Sequence, residues 1–411
     1  MPRDVVLLFT TRWIRLAAYG GLAVVLALYL GRLGLEPAQV GLLLGLTLAG
    51  DAVVSLWLTT HADRLGRRVT LIIGAALMVL GGVVFAVTGE FVILLVAAII
   101  AVLSPSGNEV GPFLAVEQAS LTEVLPPARR TSTFAWYQLA GSVATAVGAL
   151  AAGLVTQALT EQGMNALDAD RAVIVAYAIA GVLIGLVATR LSPAIEPVTP
   201  ADASIRRRLG LHRSGRTVAE LGALFALDAF AGGFVIQSLI AVWFSVRWAV
   251  EPAVLGGIFF GANLLAGFSG LVAARLAARF GLVATMVGTH LPSNVLLILV
   301  PLMPTLPLAI GVLLVRFAIS QMDVPTRQSY TMAVVDPDER SAAAGLTAMA
   351  RSAGAAVSPA IAAPLIASSV LGGGLPFVIA GALKIVYDVA LWQRFRALPP
   401  PEEIEARARA S

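Results

Sequence analysis

Long apolar runs, cut by short polar stretches, dominate this chain. A hydrocarbon core about 30 Å thick takes roughly 20 apolar residues of helix. By that length the 411 residues predict twelve spanning helices, near 13–31, 38–59, 69–88, 91–116, 132–158, 171–190, 219–245, 253–274, 282–303, 307–326, 342–368 and 374–393. The polar stretches alternate between arginine-rich and bare. Arg64, Arg67, Arg68, Arg129, Arg130, Arg206, Arg207, Arg208, Arg213, Arg216, Arg275, Arg279, Arg340, Arg394 and Arg396 fall on one side, and little more than Arg32, Arg171 and Arg247 on the other. Because cytoplasmic loops hold the excess of basic residues, both termini are expected in the cytoplasm.

One long hydrophilic connector, 192–217 (SPAIEPVTPADASIRRRLGLHRSGRT), interrupts the pattern after the sixth span. Its proline-rich start reads as a linker and its three consecutive arginines as a solvated or lipid-headgroup face. The expected organisation is therefore an N-terminal six-helix bundle (1–191), a cytoplasmic linker (192–217), a C-terminal six-helix bundle (218–396) and a cytoplasmic tail (397–411).

Composition sharpens this picture. Hydrophobic residues make up 58% and charged residues 13% of the chain, about half the charge of an ordinary soluble domain. The net charge of +4 is almost all arginine, since Lys384 is the only lysine, and reads as loop charge rather than a nucleic-acid surface. The absence of cysteine excludes disulfides, thiolate metal sites and a cysteine nucleophile. The N-terminal MPRDVVLLFTTRWIRLAAYGG lacks a small-residue cleavage site and reads as an uncleaved first span.

The two halves repeat. GLEPAQVG (34–41) recurs as AVEPAVLG (249–256), and ADRLGRR (62–68) faces AARFGLV (277–283) at the same offset; Gln118 to Arg130 ends in LPPARR, and Gln328 to Arg340 in VDPDER. Duplicated six-span halves around a linker are a transporter architecture with a site near the bilayer midplane. At HADRLGRR (61–68) the chain resembles the major facilitator superfamily, whose loop motif runs roughly G-x-x-x-D-R-x-G-R-R. Asp63, Arg64, Gly66, Arg67 and Arg68 match, while Thr59 stands at the leading glycine. The resemblance implies an all-α membrane fold of two pseudo-symmetric six-helix bundles. It also implies that Asp63, Arg64, Gly66 and Arg68 form a latch for the outward-open state, weaker in the second half where Ala278 replaces the aspartate. The family's fifth-span glycine–proline pattern is reduced to GALAAG (148–153), with SPAIAA (358–363) in the second half, and small residues so spaced read as helix-packing faces.

Charges at bilayer depth cost a few kcal/mol or more and mark functional candidates. They are Asp51 and Glu109 in the first half and Asp228, His290, Arg316, Asp323, Arg351, Lys384 and Asp388 in the second. Lys384 and Asp388, four apart, are expected to pair, as are Asp323 and Arg351 on neighbouring spans. Arg316 has no partner visible in sequence and is a candidate to meet a substrate anion. In HLPSN (290–294) Pro292 frees a backbone carbonyl that Asn294 could bind. The stretch SPSGNEVGP (104–112) sets Asn108 and Glu109 between two prolines and two glycines, so the fourth span is expected to break there. Broken backbone at that depth survives only beside protein or water. Glu109 then reads either as a proton site at a substrate cavity or as a helix tie to Arg12 or Arg15, and Asp51 as a second proton candidate or a brace to span eleven.

These features predict a secondary active transporter of the inner cell membrane, monomeric, embedded in lipid, without cofactor, metal or nucleic-acid partner, and driven by protons. Efflux of a small organic compound is the first expectation on superfamily frequency. Proton-coupled uptake of an anionic metabolite or sugar is the second, resting on Arg316, Arg351 and Lys384, and fading if all three prove internally paired. A non-transporting membrane sensor is the reading from another class. An enzyme would need a clustered set of catalytic groups, and of three histidines only His290 lies within a span.

Overall fold

A computed structural model describes residues 3–197, 213–336, 339–396 and Leu398; the arginine cluster 206–208 and most of the expected tail lie outside the described residues. The described residues form fifteen α-helices and no strand: α1 Arg3–Arg32, α2 Pro37–Leu65, α3 Arg67–Val87, α4 Phe91–Ile100, α5 Phe113–Val124, α6 Pro127–Glu161, α7 Ala166–Ala188, α8 Gly215–Gly233, α9 Gln237–Trp248, α10 Pro252–Phe280, α11 Leu282–Leu299, α12 Leu306–Ser320, α13 Asp323–Ala333, α14 Arg340–Ile366 and α15 Leu375–Phe395. Eleven helical segments among them are long and apolar enough to cross a bilayer. The fourth expected span is the exception: apolar helix α4 covers only 10 residues, and the chain is non-helical until α5. The seventh and tenth spans are likewise interrupted, between α8 and α9 and between α12 and α13.

Local chemistry sets many of these boundaries. The repeated Glu-Pro starts α2 and α10, because proline at the first helical position has the required φ and no N–H to waste. Gly66, at φ +96°, turns the chain from α2 directly into α3.

The chain packs into two compact units, one of Met1–Asp202 with Ile236–Leu264 and Pro359–Ala367, the other of Ala203–Val235, Leu265–Ser358 and Ser368–Ser411. In the first, α1 lies against α6, α7 and α9, and α3 against α7. The α1–α6 crossing is backbone to backbone: a Cβ on Gly148 would sit 1.8 Å from the Ala17 carbonyl oxygen. At the other end of GALAAG, a Cβ on Gly153 would meet the Pro252 carbonyl at 2.3 Å, so the repeat segment around 249–256 packs directly on this face. In the second unit, α11 is central and lies against α12, α13 and α15, while α8 packs on α15. Its apolar core includes Leu221, Phe225, Met286, Tyr330, Tyr387 and Leu391.

Gly148→Leu should destabilise the protein by about 1–3 kcal/mol or more, since the obstacle is backbone that cannot rotate away. A lower melting temperature in detergent than for the exposed lipid-facing control Leu154→Ile would show it.

Candidate functional site

The break in the fourth span is held by side chains from four helices. Gly107 and Gly111 take positive φ of 71° and 79°, conformations open to glycine at little cost. Ser104 donates its hydroxyl to the Asn108 carbonyl at 2.7 Å. Ser238 of α9 gives both its N–H, at 3.1 Å, and its hydroxyl, at 2.7 Å, to the Pro105 carbonyl. Tyr19 of α1 donates to the Val110 carbonyl at 3.3 Å and Tyr177 of α7 to that of Val102. Asp51 of α2 accepts the Gly111 N–H at 2.6 Å and the Ser55 hydroxyl at 3.1 Å. Asp51 thus braces the broken strand of its own half rather than span eleven. Asn108 itself is exposed.

Glu109 hangs from this break into the first of two charge clusters. Its carboxylate takes Arg12 Nη1 at 2.9 Å and Arg15 Nη2 at 2.7 Å, and its side chain is 16% exposed. Arg15 also grips Glu117 of α5 with both terminal nitrogens, at 2.8 and 2.7 Å, and neither of these two side chains reaches solvent. Thr11 and Tyr137 donate to the same Glu117 carboxylate, and Arg12 reaches Gln138 Oε1 at 2.5 Å. Arg12 lies over the Tyr137 ring and Arg15 over Phe113. Two arginines face two glutamates, so this cluster is balanced and ties α1 to α5 and the break.

The second cluster, in the other unit, is arranged around one carboxylate. Asp228 of α8 accepts Lys384 Nζ at 2.5 Å, Arg327 Nη1 at 3.1 Å and Arg351 Nη1 at 3.4 Å, with His290 Nε2 at 3.8 Å. Arg327 has a second partner one turn away, Asp323 at 3.1 Å. Asp388 binds His290 Nδ1 and Asn294 Nδ2, both at 2.8 Å. Three sequence expectations are corrected here. Lys384 bonds Asp228 instead of Asp388, Arg351 bonds Asp228 instead of Asp323, and Asn294 serves Asp388 instead of the carbonyl freed by Pro292. In each case the partner is a carboxylate brought in by another helix, α8 for Lys384 and Arg351 and α15 for Asn294. Arg316 stacks on the Phe317 ring, has no ion pair among the described residues, and leaves its buried Nε without a hydrogen bond.

A cavity of about 490 Å³ opens beside this second cluster, lined by Phe225, Arg327, Gln328, Thr331, Thr347 and Arg351 among others. Its wall carries the guanidiniums of Arg327 and Arg351, which share Asp228 with Lys384, and Arg316 on α12 adds a cation with no ion pair among the described residues. Such a wall can hold an anion. Sequence reasoning missed Glu117 and Arg327, although they occupy equivalent repeat positions, each directly before the matched glutamines Gln118 and Gln328. That opposite charges stand at equivalent positions was the available signal.

At the loop motif the buried centre is Arg67. It takes Asp63 at 3.1 Å, the Ile195 carbonyl at 3.0 Å and Glu123 at 3.4 Å. Glu196, another residue the sequence reading passed over, caps α3 by accepting the N–H groups of Arg67 at 2.7 Å and Arg68 at 3.1 Å. Arg68 also reaches the Thr189 carbonyl, and Arg64 is exposed.

The sequence model of the Major Facilitator Superfamily matches residues 8–359. An uncharacterized membrane protein of Saccharomyces cerevisiae is 30% identical over 419 residues, spanning 95% of this chain and 93% of the relative. Among solved structures, the nucleoside transporter NupG superposes with a TM-score of 0.72 at 14% identity, covering 96% of this chain and 99% of NupG. A bacterial homologue of the human lysosomal transporter Spinster, inward-facing and occupied, gives 0.71 at 16% identity, with 95% and 96% covered. The human organic anion transporter MFSD10 gives 0.63 at 17% identity, with 95% and 100% covered.

Asp51→Leu strands the Gly111 N–H and should cost about 1–3 kcal/mol, whereas Asp51→Asn keeps an acceptor and should cost less. Melting temperatures of the two variants, measured side by side, check the brace.

Proposed function

The chain belongs to the Major Facilitator Superfamily, and from that premise we propose that it is a proton-coupled secondary transporter that takes up a small organic anion by alternating access. Family and fold point to a transporter rather than an enzyme. The anion reading is carried by one observation: Arg327 and Arg351 both line the cavity, yet share the single Asp228 carboxylate with Lys384. Arg316 adds a cation with no carboxylate in contact among the described residues, so the three charges named from sequence are not all internally spent. Gln328, Thr331 and Thr347 offer hydrogen bonds, and Phe225 an apolar wall, as a small organic ligand requires. Efflux, the more frequent direction in the superfamily, has no feature of the cavity behind it.

In this reading the balanced Arg12–Arg15–Glu109–Glu117 cluster is the rigid tie of the first half, because removing either partner of a buried pair costs about 3–5 kcal/mol. Asp63, Arg64, Gly66 and Arg68 keep their proposed part in the conformational latch, with buried Arg67 and half-buried Glu196 as its anchor. The arginine asymmetry supports a cell-membrane location with both termini in the cytoplasm.

Organic anions should raise the melting temperature of the purified protein, while matched cations and neutral analogues should not. Arg351→Gln should weaken the best anion at least about tenfold, the scale of one charge-assisted contact. Stabilisation by cations alone would overturn the anion reading. For the topology, the native chain has no thiol to mask, so single cysteines report cleanly. Arg216→Cys should react with an impermeant maleimide only from the cytoplasmic side, and Gln162→Cys only from outside.

A further inference from the structure

We propose that His290 is the proton-binding residue of this transporter, and that a proton on its Nε2 draws Asp228 away from Arg351, freeing that guanidinium for the substrate anion. The proposal rests on the anion reading above and names how the same site is coupled.

His290 sits on α11 with both ring nitrogens facing carboxylates. The 2.8 Å contact of Nδ1 with Asp388 puts the hydrogen of the neutral ring on Nδ1. Asn294 Nδ2 lies 3.2 Å from that nitrogen but donates to the other Asp388 oxygen at 2.8 Å, which fixes the carboxylate. Nε2 is then a lone pair 3.8 Å from Asp228 Oδ1, too far for a hydrogen bond and facing an electron-rich atom. One proton fills this gap and turns a repulsive contact into a charge-assisted donor.

Charged groups among the described residues reach this region from five helices. α15 presents Asp388, Lys384 and the Tyr387 ring, α8 presents Asp228, α13 presents Asp323 and Arg327, α14 presents Arg351 and α12 carries Arg316. The short turn Val300–Leu302 that also touches α11 has no titratable side chain.

The new donor approaches Oδ1, which Lys384 also holds, while Arg327 and Arg351 sit on Oδ2; as Oδ1 moves toward His290, Oδ2 turns from its weakest holder. Lys384 is the closest, at 2.5 Å, and Arg327 is doubly held by Asp228 and Asp323. Arg351 has the longest contact of the three cations, 3.4 Å, no second carboxylate in contact among the described residues, and a side chain 36% exposed on the cavity wall. It is the group that lets go. Proton and anion therefore favour one another's binding, and the coupling is reciprocal. Joint binding is the requirement for symport.

Calorimetric titration of the full-length protein with benzoate, malate and citrate, in buffers of different ionisation enthalpy, counts protons taken up with the anion. Wild type should take up about one proton per anion at alkaline pH, with affinity falling about tenfold per pH unit, as one linked proton requires. His290→Gln, which keeps a donor toward Asp388 but cannot charge, should abolish both and hold affinity at the weak alkaline level. If none of the three anions binds wild type at any pH, the anion reading and this inference fall together. If an anion binds wild type without proton uptake, the anion reading stands and the assignment to His290 fails, whether or not the variant folds. Retention of proton uptake in a folded His290→Gln protein overturns it equally.

Discussion

Inside a bilayer there is no water to satisfy a stray polar group, and that constraint governs every unusual feature of this molecule. A helix satisfies its own backbone, so most of the chain is helix. Where the fourth span leaves helical geometry, at 101–112, side chains from α1, α2, α7 and α9 must supply the missing partners. Tyr19, Asp51, Tyr177 and Ser238 are distant in sequence and act as one device. The break is built into the fold by them, and Glu109 inherits its position from the break.

The same constraint applies to charge. Each buried ion must find a counter-ion, and the two clusters meet this demand differently. In the first, bidentate geometry between Arg15 and Glu117 and the paired hold on Glu109 bring the sum to zero, which favours a rigid tie. In the second, three cations converge on the single carboxylate of Asp228, and two of them stand on the cavity wall. A structure whose cavity wall carries two guanidiniums sharing one carboxylate has a reason to bind an anion. It also has, in His290, a group whose protonation state changes the strength of that demand.

Glycine enters the argument for a separate reason. Where two helices touch through backbone, as α1 and α6 do at Ala17 and Gly148, side-chain volume is the quantity being minimised. GALAAG thus serves packing at both ends, which agrees with its reading as a small-residue face.

The sequence by itself determined the spans, the break in the fourth and part of the list of buried charges, because each depends only on local composition: run length, proline and glycine placement, and the cost of an ion in lipid. It also determined the family, through the spacing of HADRLGRR and the repeat. Which charge meets which was decided by the tertiary structure alone. Helical spacing pointed Lys384 to Asp388, but α8 brings Asp228 within 2.5 Å of the lysine, and α11 brings His290 to the aspartate. Glu117 and Arg327 escaped notice because nothing local marks a buried charge at a helix start. Only the contact of α1 with α5 through Arg15 and Glu117, and of α8 with α13 through Asp228 and Arg327, makes each a member of a cluster. Ion pairing in this protein is a contact between helices, and a linear sequence carries the charges without their distances.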